Sequence, residues 1–170
     1  MRIIFTAVLL VVNIALQSTL FQLIAIRGVV PNTAIIIIVS VALLRGRFEG
    51  LLTGFFAGLL QDIFFGNALF FYALLGMLTG YFCGGINKSF YRENFILPLV
   101  LCAAATFLYN MAIYLTSLIM MGNINLLYCF LNKILPETVY TSVLSILGYR
   151  LLFELNEMIE YKERFRRKLF

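Results

Sequence analysis

Histidine and tryptophan are absent from this 170-residue chain, aspartate occurs once, as Asp62, and there are only three cysteines and three prolines. Each shortage removes a class of chemistry. Without histidine there is no imidazole base for a rhomboid-type serine protease, and one aspartate cannot form the proton-sharing pair of an aspartyl protease. Metal-dependent hydrolysis lacks nitrogen ligands. Cys83, Cys102 and Cys129 are odd in number, widely separated and without C-x-x-C spacing. They suggest neither a disulfide framework nor a metal site and read as small buried apolar residues. The glycines follow a helical period and omit the G-K-[ST] ending of a phosphate-binding loop. No enzymatic activity and no cofactor is expected.

Charge is also scarce: 12% of residues are charged, against 62% hydrophobic. A soluble domain of this length could not hide so much apolar surface, whereas a polytopic membrane protein exposes it to lipid. The expected fold class is all-α, an integral membrane bundle of six transmembrane helices. The net charge of +5 comes mostly from basic residues at helix ends. That pattern concerns topology and anionic lipid rather than nucleic acid.

The dominant pattern in the chain runs from Arg45 to Asn67, where Gly46, Gly50, Gly54 and Gly58 recur every four residues and the next step lands on Asp62. Positions four apart share one face of an α-helix, so the glycines form a smooth strip ending in a carboxylate. In water, each interior glycine would cost roughly 1 kcal/mol relative to alanine. In lipid, small residues let two backbones approach closely. The strip is either a packing seam inside the protein or a contact to a partner. Gly76, Gly80 and Gly84, joined by Gly85, form a second strip, and the turn residues Gly66 and Asn67 between the two predict a hairpin.

In chain order, helices are predicted at about 3–26, 29–44, 48–65, 68–86, 96–121 and 137–154, making a transmembrane domain of residues 1–160 followed by a basic cytoplasmic tail, 161–170. The first run is longer than a signal-peptide core and is expected to stay as an uncleaved helix. Asn13 and Gln17 are four apart and face neighbouring helices. Pro31 and Asn32 open the second run, which is short for a bilayer. Thr106, Tyr109, Asn110 and Tyr114 put polar atoms into the fifth helix, facing the bundle. Residues 122–132 suggest a short interfacial segment leading to Lys133 and Pro136. Glu137 suits the positive end of the last helix.

Lysine and arginine set the orientation. With both termini cytoplasmic, Arg2, Arg45, Arg47, Lys88, Arg92, Arg150 and the tail lie inside, and only Arg27 and Lys133 lie outside. Asp62 then sits towards the outer face, where it either caps a helix end or binds Lys133, Arg27 or a basic group of a partner. In the tail, Lys162, Arg164, Arg166, Arg167 and Lys168 alternate with aromatic and apolar residues. Each basic residue gains about 1 kcal/mol beside anionic lipid, so the tail anchors to the membrane or recruits a cytoplasmic partner.

Pro31-Asn32, Leu44-Arg45-Gly46, Gly50, Gly54, Gly58-Leu59-Leu60-Gln61-Asp62 and Gly66, followed by Gly76, Gly80 and Pro136, together resemble the rod shape-determining MreD family. The likeness covers nearly the whole chain. The chain departs from the family in having Asn32 where an aspartate is common, and Tyr140-Thr141 where Tyr-Asn is common. The resemblance implies a noncatalytic scaffold or adaptor of the rod (elongasome) complex in the bacterial cell membrane, supporting lateral peptidoglycan synthesis. The partners it implies are MreC, bound directly, with MreB, RodA and a class B penicillin-binding transpeptidase. It also implies a fold similar to the substrate-binding subunits of energy-coupling-factor vitamin transporters, which supplies the alternative function. Such a subunit would need convergent polar groups near the outer face.

Overall fold

The computed structural model describes residues 2–23, 25, 28–65, 70–86, 96–121 and 129–168, the side chains of 2–4, 20–23, 65, 119–121 and 160–168 excepted. Among these residues the chain is all-helical. Its elements are α1 (Arg2–Leu23), α2 (Thr33–Arg45), α3 (Arg47–Phe65), α4 (Phe71–Gly85), α5 (Ile96–Met121) and α6 (Leu135–Lys168), with a π-helical turn at Phe130–Ile134 leading into α6.

The centre of the fold is α2. A helix apolar on every face has no solvent side and is covered by protein or by lipid, and here it is protein. Every residue from Thr33 to Leu44 is buried. Around α2 pack α3, α4, α5 and α6, while α1 lies at the edge against α2 and α3. The predicted start at residue 29 is too early. Pro31 biases the preceding residue away from helical geometry, and Asn32 caps the helix by accepting the Ile35 N–H at 3.4 Å. The 13 residues of α2 span about 20 Å, less than the ~30 Å hydrocarbon thickness.

Both ends of this short helix therefore meet polar groups supplied by its neighbours. At one end, Arg45 donates to Asn156 Oδ1 at 2.8 Å, to Thr6 Oγ1 at 3.1 Å and to Glu49 Oε2 at 3.3 Å. One guanidinium thus ties α1, α3 and α6 to α2. At the other end, the Asn32 N–H donates to Thr141 Oγ1 of α6 at 3.1 Å.

A single residue, Gly46, joins α2 to α3. Its φ of +96° is a conformation that side chains rarely adopt. Its N–H donates to the Ala42 carbonyl at 2.9 Å, and its carbonyl accepts from Gly50 at 3.0 Å, so it closes one helix and opens the next. This corrects the reading of Gly46 as the first member of the α3 strip: it is the corner before that strip.

The last helix also differs from expectation. α6 runs unbroken for 34 residues, about 51 Å, through most of the stretch assigned to a separate tail. Pro136 lies in its first turn, directly after the π-helical turn, in which the Leu135 N–H reaches back to the Phe130 carbonyl. Proline clashes with the carbonyl four residues earlier, and a wider turn gives that group room. Residues 129–132, expected in an interfacial segment, belong to this helical lead-in.

Among the described residues, one helix is long and apolar enough to cross a membrane by length and composition, over Ile96–Leu118 of α5, with mean hydropathy 2.0. Shorter apolar helices cover Phe5–Thr19, Thr33–Arg45 and Phe71–Gly85. Large apolar side chains lie exposed on the outer helices, among them Val11, Phe82, Leu108 and Leu147.

Candidate functional site

The two glycine strips face each other across α3 and α4. A Cβ built on Gly54 would fall on the Gly76 carbonyl, and one on Gly76 would fall on the Gly54 carbonyl. One step along, a Cβ on Gly80 would fall on the Gly50 carbonyl, and one on Gly50 would lie 2.7 Å from the Gly80 carbonyl oxygen and 2.6 Å from Ala42 Cβ of α2. Gly58 meets the backbone of Tyr72 and Ala73, and Gly84 comes within 2.6 Å of the Arg47 Cα by the same construction. Each step of four up α3 is matched by a step of four down α4, as antiparallel backbones in contact require. The seam extends to α2 through Ala42. Gly148 of α6 makes room for a side chain instead: a Cβ there would lie 2.6 Å from Ile36 Cγ2 of α2. At the Gly84 end of the seam, the Arg47 guanidinium lies 5.6 Å from the centre of the Tyr81 ring.

Asp62 closes the other end. Its two carboxylate oxygens accept the backbone N–H groups of Tyr72 and Ala73, each at 3.0 Å. These belong to the first turn of α4, whose preceding residue, Phe70, is left-handed and offers no side-chain cap. A carboxylate from α3 thus caps α4, satisfying orphan donors and meeting the positive end of the helix dipole. Of the options left open by the sequence, helix capping is the one the geometry shows, and the capped helix is the neighbour. Gly66 lies outside the described residues. Lys162, Arg164, Arg166, Arg167 and Lys168 fall on the last turns of α6, and their side chains lie outside those described.

Beside this cap is a polar core that the sequence did not assemble. The Tyr109 hydroxyl donates to Gln61 Oε1 at 2.7 Å, and Gln61 Nε2 donates to Asn32 Oδ1 at 3.2 Å. With the Asn32–Thr141 bond, this chain links α5, α3, α2 and α6. It borders a cavity of about 430 Å³ whose wall includes Gln17, Gln61, Tyr72, Asn110, Lys133 and Glu137. These residues come from α1, α3, α4, α5 and the helical stretch entering α6, so only the packing reveals that they converge. Tyr109 and Tyr114 are buried, as expected of residues facing the bundle. Cys83 and Cys102 are buried free thiols, and Cys129 is a half-buried one.

A buried central helix, a backbone-to-backbone glycine seam and an internal polar network define an all-helical bundle held together by close interhelical contact. Residues 1–159 match the family model described as rod shape-determining protein MreD, and the chain belongs to that family. Its role is in rod shape determination, and the family is one of bacterial membrane proteins concerned with shape rather than known catalysis. Searches among curated proteins and solved structures found no match.

Proposed function

We propose that the chain is a noncatalytic membrane adaptor of the rod complex, folded as six membrane-embedded helices with both termini in the cytoplasm. It binds MreC directly, is linked through it to MreB, RodA and a class B penicillin-binding transpeptidase, and so supports lateral peptidoglycan synthesis. Membership of the MreD family carries this reading. The apolar side chains exposed on α1, α4, α5 and α6 are suited to lipid and to the helices of membrane partners. The seam and Asp62 support such a surface from within, because the glycines meet backbone and the carboxylate is spent on α4. The basic end of α6 reaches beyond the bilayer, towards anionic lipid or a cytoplasmic partner.

The cavity favours a second reading, the substrate-binding subunit of an energy-coupling-factor vitamin transporter, because it gathers polar groups at one end of the bundle. Depletion in the native bacterium separates the two. The adaptor reading expects rod cells to widen and round within a few generations, with no rescue by vitamins. Normal cell width together with a growth defect cured by a vitamin would overturn it.

A further inference from the structure

The cavity is lined by groups of both charge signs. Among its described lining residues, Glu137 is the one carboxylate and Lys133 the one ammonium, four positions apart where the π-helical turn enters α6. Side chains at that spacing project from one helix face. Lys133 is exposed, at the rim, while Glu137 is half-buried.

Two further groups on the wall are unsatisfied. Gln17 Oε1 is a buried acceptor without a hydrogen-bond partner. Asn110 and Lys133 both lie close enough to Glu137 to act on it, yet the buried Asn110 Nδ2 makes no hydrogen bond of regular geometry. Buried donors and acceptors left unmatched are costly, and a ligand that supplies their partners relieves the cost. The unmet needs are complementary: an acceptor and a carboxylate call for a cationic N–H donor, while a donor and an ammonium call for an anionic oxygen.

The geometry points to a binding site for a small zwitterion bearing a primary ammonium and a phosphate a short bridge apart, the chemistry of phosphoethanolamine. The ammonium donates to Glu137 and Gln17, and phosphate oxygens accept from Lys133 and Asn110. The volume of about 430 Å³ exceeds what one such group needs, leaving room for bridging water. Gln17 comes from α1, which packs on α2 and α3, whereas the opposite wall is α5 and α6. A headgroup arriving sideways from the bilayer meets that division between the walls. This source rests on the membrane reading above; the zwitterion chemistry does not.

Purified full-length protein in detergent would be titrated with short-chain phosphatidylethanolamine, phosphatidylcholine and phosphatidylglycerol, and bound lipid read by native mass spectrometry. The ethanolamine lipid should be retained about tenfold better than the other two, since choline cannot donate a hydrogen bond and glycerol carries no cation. Glu137→Gln and Lys133→Gln should each remove most of that preference. Lys133 is exposed, so its variant decides the matter if Glu137→Gln does not fold. Competition by water-soluble glycerophosphoethanolamine at similar concentration would support the site and assign a free ligand; lack of competition would assign the lipid. Equal retention of ethanolamine and choline lipids, or a preference unchanged in the folded variants, would overturn the proposal. Cell width on depletion does not enter this readout, so the adaptor reading stands or falls separately.

Discussion

Gly54→Leu is expected to abolish accumulation of folded protein in the membrane. The Cβ alone would land on the Gly76 carbonyl, a backbone atom within a helix that cannot rotate aside as a side chain can. Overpacking of a flexible core costs about 1–3 kcal/mol, and a collision with rigid backbone on both sides of a seam should exceed that range. Parting α3 from α4 also draws Tyr72 and Ala73 away from Asp62, so the cap is lost with the contact. Phe56→Leu, on an exposed face of the same helix, is the control and should leave expression unchanged. Fluorescence-detected size exclusion of tagged variants reads both. A monodisperse Gly54→Leu protein at wild-type yield is incompatible with the seam.

The second large effect belongs to Asp62→Ala. Removing the carboxylate leaves the Tyr72 and Ala73 amides without acceptors, the first half-buried and the second buried. Unsatisfied buried donors cost roughly 1–3 kcal/mol each, so a loss of about 3 kcal/mol is expected in thermal unfolding measured in detergent. Asp62→Asn keeps one acceptor oxygen and should fall between alanine and wild type. This ordering separates two roles for the residue. A side chain reserved for a basic group of a partner would tolerate alanine in the isolated protein and lose only the partner.

These two variants also mark what the sequence reveals. The four-residue glycine period and the turn residues after it are enough to bring α3 and α4 together, because small residues at helical spacing are of use only where another backbone comes close. Asp62 continues the same register, which places it at the end of the seam. Its true partners, two backbone amides, have no sequence signature. Gly46 was misassigned because it shares the period, although a glycine directly after Arg45 at the end of an apolar run is also a helix-termination signal. The central place of α2 was not legible, because a helix apolar on every face suits lipid as well as a protein interior.

The cavity was the least legible feature. Gln17, Asn32, Gln61, Asn110 and Glu137 are separated by long apolar stretches, and their meeting depends on the rotation and rise of five segments at once. The length of α6 was concealed for a different reason. Its charged end reads as a tail by composition, yet no glycine or proline follows Gly148 to end the helix.

The central claim is that this tightly packed bundle exists to hold another membrane protein. Its most direct test is affinity purification of the tagged full-length chain from native membranes that lack the endogenous copy, with the eluate quantified for MreC. The account predicts MreC in near-stoichiometric amount with the wild-type chain. A folded, functional chain recovered without MreC would contradict it.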